Sequence, residues 1–191
     1  SVGVLNIQNA TALGSTGNGT TVSSGAALQI QGGIAVGSEA LALSGTGISN
    51  DGALRNISGN NTFGGLVTLG AGTRINSDAG TLTLGNNGTI TGSGFGLTVG
   101  GAGNTTIAGI IGTGTGTVTK DGSGKLVLFS TSSVGNTFTG GVFLNAGTLG
   151  VYEGSSLGQL PVSAATQLTF TGNSTLQFQA TPVNFYNSNR K

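Results

Sequence analysis

The chain has 191 residues, a formal net charge of +1 and only 6% charged residues, with 39 glycines, two prolines and no Cys, His, Met or Trp. This composition excludes disulfide staples and sites built on thiolate or imidazole. It also excludes a helical membrane span, for want of a run of about 20 apolar residues, and a phosphate-binding stripe, because the six basic residues are scattered.

The first residues, Val2-Gly-Val-Leu-Asn-Ile7, read as a strand without a basic segment leading into a long apolar stretch, so a signal peptide is absent or already removed. Strand-like stretches then recur at 27–31, 66–69, 81–84, 97–99, 125–129, 148–152 and 175–179. Many alternate Leu, Ile or Val with Thr or Gln, the period of two that turns one face inward and one outward. Between them lie Asn-Gly, Gly-Ser and Ala-Gly turns, where a positive φ costs little. There is no sustained 3.6-residue periodicity for helices and no three-residue glycine period for collagen.

Short strands, small turns and few aromatic residues fit a sandwich or barrel poorly. They predict an all-β, right-handed parallel β-helix, with Leu126, Leu128, Leu144 and Leu149 inside. At coils of roughly 20 to 25 residues, about eight or nine coils are expected. Asn and Thr at equivalent turns are expected to form ladders from coil to coil. No linker interrupts residues 1–191, which read as one β-helical domain, a segment or subunit of a longer repetitive assembly. Residues 160–191 hold both prolines and Phe185-Tyr186 and read as a terminal coil or cap.

The most informative segment is Thr119-Lys-Asp-Gly-Ser-Gly-Lys-Leu-Val-Leu128, followed by Asn136-Thr-Phe-Thr-Gly-Gly141 and Asn145-Ala-Gly-Thr-Leu149. Residues 61–73 repeat its second half more weakly: Asn-Thr-Phe, a glycine pair, an apolar strand, then Ala-Gly-Thr. These residues resemble the autotransporter-associated β-strand repeat, whose pattern runs Leu-Thr-Lys-x-Gly-x-Gly-Thr-Leu-x-Leu, Asn-Thr-Tyr-x-Gly-Gly, Asn-Ala-Gly-Thr-Leu. Phe138 stands where that family often has Tyr, and the linker at 130–135 is longer than usual. The resemblance implies a β-helix within a large, secreted or cell-surface bacterial protein, many of whose kind are adhesins. It fixes fold better than function.

Candidate chemistry is sparse. Asp51 with Arg55, or Asp121 with Lys120 and Lys125, are the residues on which a polysaccharide lyase or glycosidase would rest, and solvated turn residues are the simpler reading. The Gly-Gly-x-Gly-x-Asp calcium repeat is absent, and the lone Asp121 in its glycine turn falls short of an EF-hand. Gly112-Thr-Gly-Thr-Gly116 lacks the Gly-Lys-Ser/Thr of a phosphate loop. Thr-x-Thr at 81/83, 89/91 and 117/119 raises an ice-binding array, which strand propensity of Thr explains more simply. Glycosylation sequons at Asn9, Asn56 and Asn87 are expected by chance.

The sequence therefore predicts a non-enzymatic structural solenoid, secreted or at the bacterial surface, with no catalytic, metal or cofactor site. Adhesion, or surface-layer, matrix or filament formation, is its expected use. Its expected partners are a host-surface or carbohydrate ligand and either flanking repeats or a second copy stacked head to tail, without nucleic acid.

Overall fold

The computed structural model describes residues 3–86, 88–129, 135–159 and 166–179. Every strand pairing in it is parallel, which follows from strands returning to the same side of a coil one turn later. Three sides recur in fixed order. Face A carries β1 (Val4–Ile7), β3 (Ala27–Gln31), β6 (Leu54–Ser58), the second half of β8 (Val67–Ser77), β11 (Leu97–Gly100), β14 (Val118–Lys120), β16 (Val142–Leu144) and β18 (Leu168–Phe170). Face B carries β4 (Ala35–Val36), β7 (Asn60–Phe63), β9 (Thr81–Leu84), β12 (Asn104–Ile107), β15 (Lys125–Leu128), β17 (Gly147–Val151) and β19 (Ser174–Phe178). Face C carries β2 (Thr20–Val22), β5 (Leu41–Gly45), the first half of β8, β10 (Thr89–Thr91) and β13 (Ile110–Gly112). The long β8 turns the corner from C to A without a break, because it pairs with β5 through Val67 and with β11 through Thr73.

The result is a β-solenoid of about 7 turns, not the expected eight or nine. Coils are longer than the sequence period suggested. Asn61 stands opposite Leu82, Ala35 opposite Thr62 and, past a bulge, Gly45 opposite Thr73, so coil length runs from 21 to 28 residues. The extra residues sit at corners, such as the turn at 46–52, where Ser49 and Asn50 take positive φ. The expected terminal element at 160–191 falls within the described residues only at 166–179, which form β18 and β19.

Alternation places the core. In β9 the two threonines face out and Leu82 and Leu84 are buried. Register stacks such residues into columns: Phe63, Leu84, Ile107, Leu128 and Val151 in one, Leu82, Thr105, Leu126 and Leu149 beside it. Leu126, Leu128, Leu144 and Leu149 are all at most 1% exposed, as their spacing predicted. Each fully buried aliphatic side chain contributes about 1.5–3 kcal/mol, so the columns are the main cohesive term along the axis.

Corners are held by asparagine. Asn136 accepts from the Ile111 amide at 2.7 Å and donates to the Ser156 carbonyl at 2.7 Å. Asn61 accepts from the Ile34 amide at 2.7 Å and donates to the Ser58 carbonyl at 2.8 Å and to Asn56 Oδ1 at 2.6 Å. These bonds run mainly to the backbone of adjacent coils, and satisfy amides that strand geometry leaves unpaired at a corner. Asn56 is itself fully buried, which takes it out of consideration as a glycosylation acceptor.

The two similar segments do not occupy equivalent places. Asn61-Thr-Phe63 lies on face B, in β7, whereas Thr137 and Phe138 bond to the Ile111 carbonyl and continue face C. The shared pattern is thus a corner-and-strand unit, rotated by one side of the triangle between its two occurrences. In both, Asn closes the corner to the previous coil and Phe, 0% exposed, fills the interior.

Candidate functional site

Five ionic side chains, Asp51, Arg55, Arg74, Asp78 and Asp121, meet on the outside of face A. Arg55 comes from β6 and points outward because its neighbours Leu54 and Asn56 point in. Its guanidinium donates to Asp51 Oδ2 at 2.9 Å and reaches Asp78 Oδ2 at 2.7 Å. Asn76 donates to Asp78 Oδ1 at 2.7 Å and accepts from Arg74 at 3.1 Å. Arg74 then binds Asp121 through two bonds, Nη1 to Oδ2 at 2.7 Å and Nη2 to Oδ1 at 2.8 Å. The ladder Asp51–Arg55–Asp78–Asn76–Arg74–Asp121 rises along the stack and sets two guanidiniums among three carboxylates.

The structure thus unites Asp51 with Arg55 as the sequence proposed, whereas among the described residues the Asp121 carboxylate forms an ion pair with neither of its proposed lysines. Asp121 engages Arg74, and Lys125 belongs to face B, where its Nζ donates to Gln179 Oε1 at 3.0 Å. Arg74, Asn76 and Asp78 were not legible as partners. Arg74 and Asp121 meet only because two coil lengths bring them into neighbouring register. A short-range signal did exist for Asp51 and Arg55, which are four residues apart.

Lys120 turns the other way. It occupies an inward position of β14, in the column of Leu28, Leu54, Ile75, Val99 and Leu144, and is 2% exposed. Its methylenes pack as an aliphatic side chain would. Its ammonium donates to the carbonyls of Asp121 at 2.5 Å, Gly122 at 2.8 Å and Ala146 at 3.4 Å, joining two coils at one corner. Burial lowers its pKa to about 8, against an opposing pull from Asp121 and a further small push from Arg74.

These carboxylates are poor acid–base machinery. Each is committed to a guanidinium, and a two-carboxylate glycosidase needs one acid free to donate a proton. A cleft of about 330 Å³ lies instead at the N-terminal end, lined by Val4, Leu5, Thr20, Thr21, Val22 and Leu28 among others, with no titratable side chain. Among the described residues, no group of three or more His, Cys, Asp or Glu converges to hold a metal ion, and no helix is long and apolar enough to cross a membrane. The three Thr-x-Thr pairs fall on three different sides: 81/83 on face B, 89/91 on face C, and Thr119 on face A. They do not form one array.

The fold and this surface define a parallel β-solenoid whose exterior is tied by polar ladders. Residues 118–151 match the passenger-associated-transport-repeat family, and the β-solenoid fold is consistent with such a repeat. The matched stretch comprises β14, β15, the Asn136 corner, β16 and β17, one full coil and part of the next. No curated protein and no solved structure matches the chain.

Proposed function

We infer that the chain builds and presents surface outside the bacterial cell, as a structural solenoid of autotransporter-passenger type used in adhesion or matrix formation. One observation carries this reading: a passenger-type repeat sits in register within an uninterrupted parallel stack. Such a stack offers a long, laterally bonded surface rather than an enclosed pocket. The end coils support stacking on flanking repeats or on a second copy, since Val4 and Leu5 at one end and Phe170 at the other are each about half exposed.

The test is adhesion of beads coated with the chain to host cells and to abiotic surfaces. Coated beads are expected to bind well above bare beads, and equal binding overturns the adhesive role. The non-enzymatic part is checked by incubation with acidic and neutral polysaccharides. No new reducing ends or unsaturated sugars are expected, and turnover that disappears in Asp51→Asn or Asp121→Asn would establish an enzyme instead.

A further inference from the structure

Face B changes chemistry along its length. In its early coils the outward residues are Asn60 and Thr62, Thr81 and Thr83, then Asn104 and Thr106. From β15 onward they become Lys125, Val127 and Phe129, next to Thr148, Gly150 and Tyr152, and then Thr175, Gln177 and Gln179. Inward and outward positions alternate, so each of these sets points to solvent on one side of the stack.

The aromatic part is open. Phe129 follows Leu128, and Tyr152 follows the Val151 that pairs with Leu128, so their rings stack from coil to coil with centroids 4.7 Å apart and planes tilted by 57°. Phe129 is 37% exposed in a chain that buries Phe63 and Phe138 completely. The Tyr152 hydroxyl has no hydrogen-bond partner among the described residues.

The polar part adjoins it. Lys125 reaches diagonally over Gly150, two residues before Tyr152, to meet Gln179 on the far side. A Cβ on Gly150 would stand 3.0 Å from Lys125 Cε and 3.1 Å from Gln179 Nε2, so glycine is what lets this bridge lie flat. Arg55 and Arg74 are paired with carboxylates and Lys120 is buried against carbonyls, whereas Lys125 faces outward and among the described residues has only a neutral amide as partner. Glu153, beside Tyr152, forms no ion pair with Lys125 among the described residues and instead caps the turn Gly154–Leu157.

The geometry points to a binding surface for a carboxylate-bearing saccharide at Lys125, Phe129 and Tyr152. It rests on the reading of the chain as an extracellular surface module and names what that surface holds. An exposed ring presents an apolar face to the C–H face of a pyranose, with the Tyr152 hydroxyl and Gln179 amide left for its hydroxyl groups. The Lys125 ammonium supplies a charge-assisted hydrogen bond to a sugar carboxylate. The tilt between the rings leaves no parallel slot for a nucleobase, and a single outward cation does not track a phosphate backbone.

The experiment is calorimetric titration of the full chain with a short oligogalacturonate, with a neutral galactan oligomer of equal length, and with oligothymidylate. The uronate is expected to bind about tenfold or more tighter than the neutral oligomer. Lys125→Gln is expected to abolish that preference, Phe129→Ala to weaken both sugars, and Phe129→Tyr to retain binding. Melting curves establish that each variant is folded. Absence of uronate binding, binding indifferent to Lys125→Gln and Phe129→Ala, or tighter binding of oligothymidylate overturns the assignment. Bead adhesion by the same variants separates the two readings. Bead adhesion without uronate binding refutes this site and leaves the adhesive role standing, whereas uronate binding without bead adhesion supports the site and refutes the role.

Discussion

Arg74 and Asp121 lie 47 residues and two coils apart, and their bidentate ion pair crosses directly over Gly100. A Cβ on Gly100 would stand 2.2 Å from both Arg74 Nη2 and Asp121 Oδ1. The intervening coil therefore needs glycine for the pair to form. Lys125 and Gln179 repeat the device over Gly150 on face B. Each bridge links coils that share no backbone ladder, which adds resistance to shear between them.

The pair is partly buried, with Arg74 side-chain exposure of 12% and Asp121 of 30%. Arg74→Ala is expected to cost about 1–3 kcal/mol, chiefly by leaving Asp121 unpaired. Gly100→Ala is expected to destabilise the parent chain by breaking the same pair, and to cost much less when Arg74 is already Ala. Urea unfolding of the two single variants and the double variant measures this coupling. Strict additivity would show that the pair does not depend on the glycine.

Leu126 is fully buried between Thr105 and Leu149. Leu126→Asp places an unpaired charge in that column and is expected to remove several kcal/mol of stability. A melting temperature equal to that of the parent chain would contradict its interior position.

Thr105 is 1% exposed and its hydroxyl has no hydrogen-bond partner among the described residues. Val keeps its shape and removes the buried polar atom. Thr105→Val is expected to stabilise the chain by about 1 kcal/mol, read as a higher urea midpoint with an unchanged slope.

Lys120 makes stability depend on pH. Its folded pKa of about 8 lies below the ordinary 10.5, so between those values the unfolded chain holds more protons than the folded one. Stability must then rise as pH rises through that window, by up to about 3 kcal/mol, and the gain is absent below it. Lys120→Met is expected to remove this rise. Comparing melting temperatures of the two proteins from pH 7 to pH 10 checks the sign. A parent chain that loses stability relative to the variant over that range would contradict it.

Much of the architecture is local and was readable in the residues. Whether a side chain in a strand faces in or out depends on a period of two, so Leu126, Leu128, Leu144 and Leu149 were correctly placed from their neighbours alone. The repeat at 118–151 was readable for the same reason, since its turns and strands are contiguous in the chain. Coil number was less accessible, because corner insertions such as residues 46–52 have no period. The pattern shared by 61–73 and 136–148 misleads as to position, because the same corner unit serves on different sides of the triangle.

The surface sites were decided by tertiary structure. Lys120, Asp121 and Lys125 are close in sequence, yet one enters the core, one joins the ladder on face A and one lies on face B. Arg74 finds Asp121, and Phe129 finds Tyr152, through register accumulated over one or two whole coils. That register is the sum of strand and corner lengths, and a slip of one residue would turn each of these side chains to the opposite face. Sequence alone determined which residues form strands and which side of each strand is apolar, because both follow from near neighbours. Only the closed coil decided which outward residues meet, because their distance depends on every residue between them.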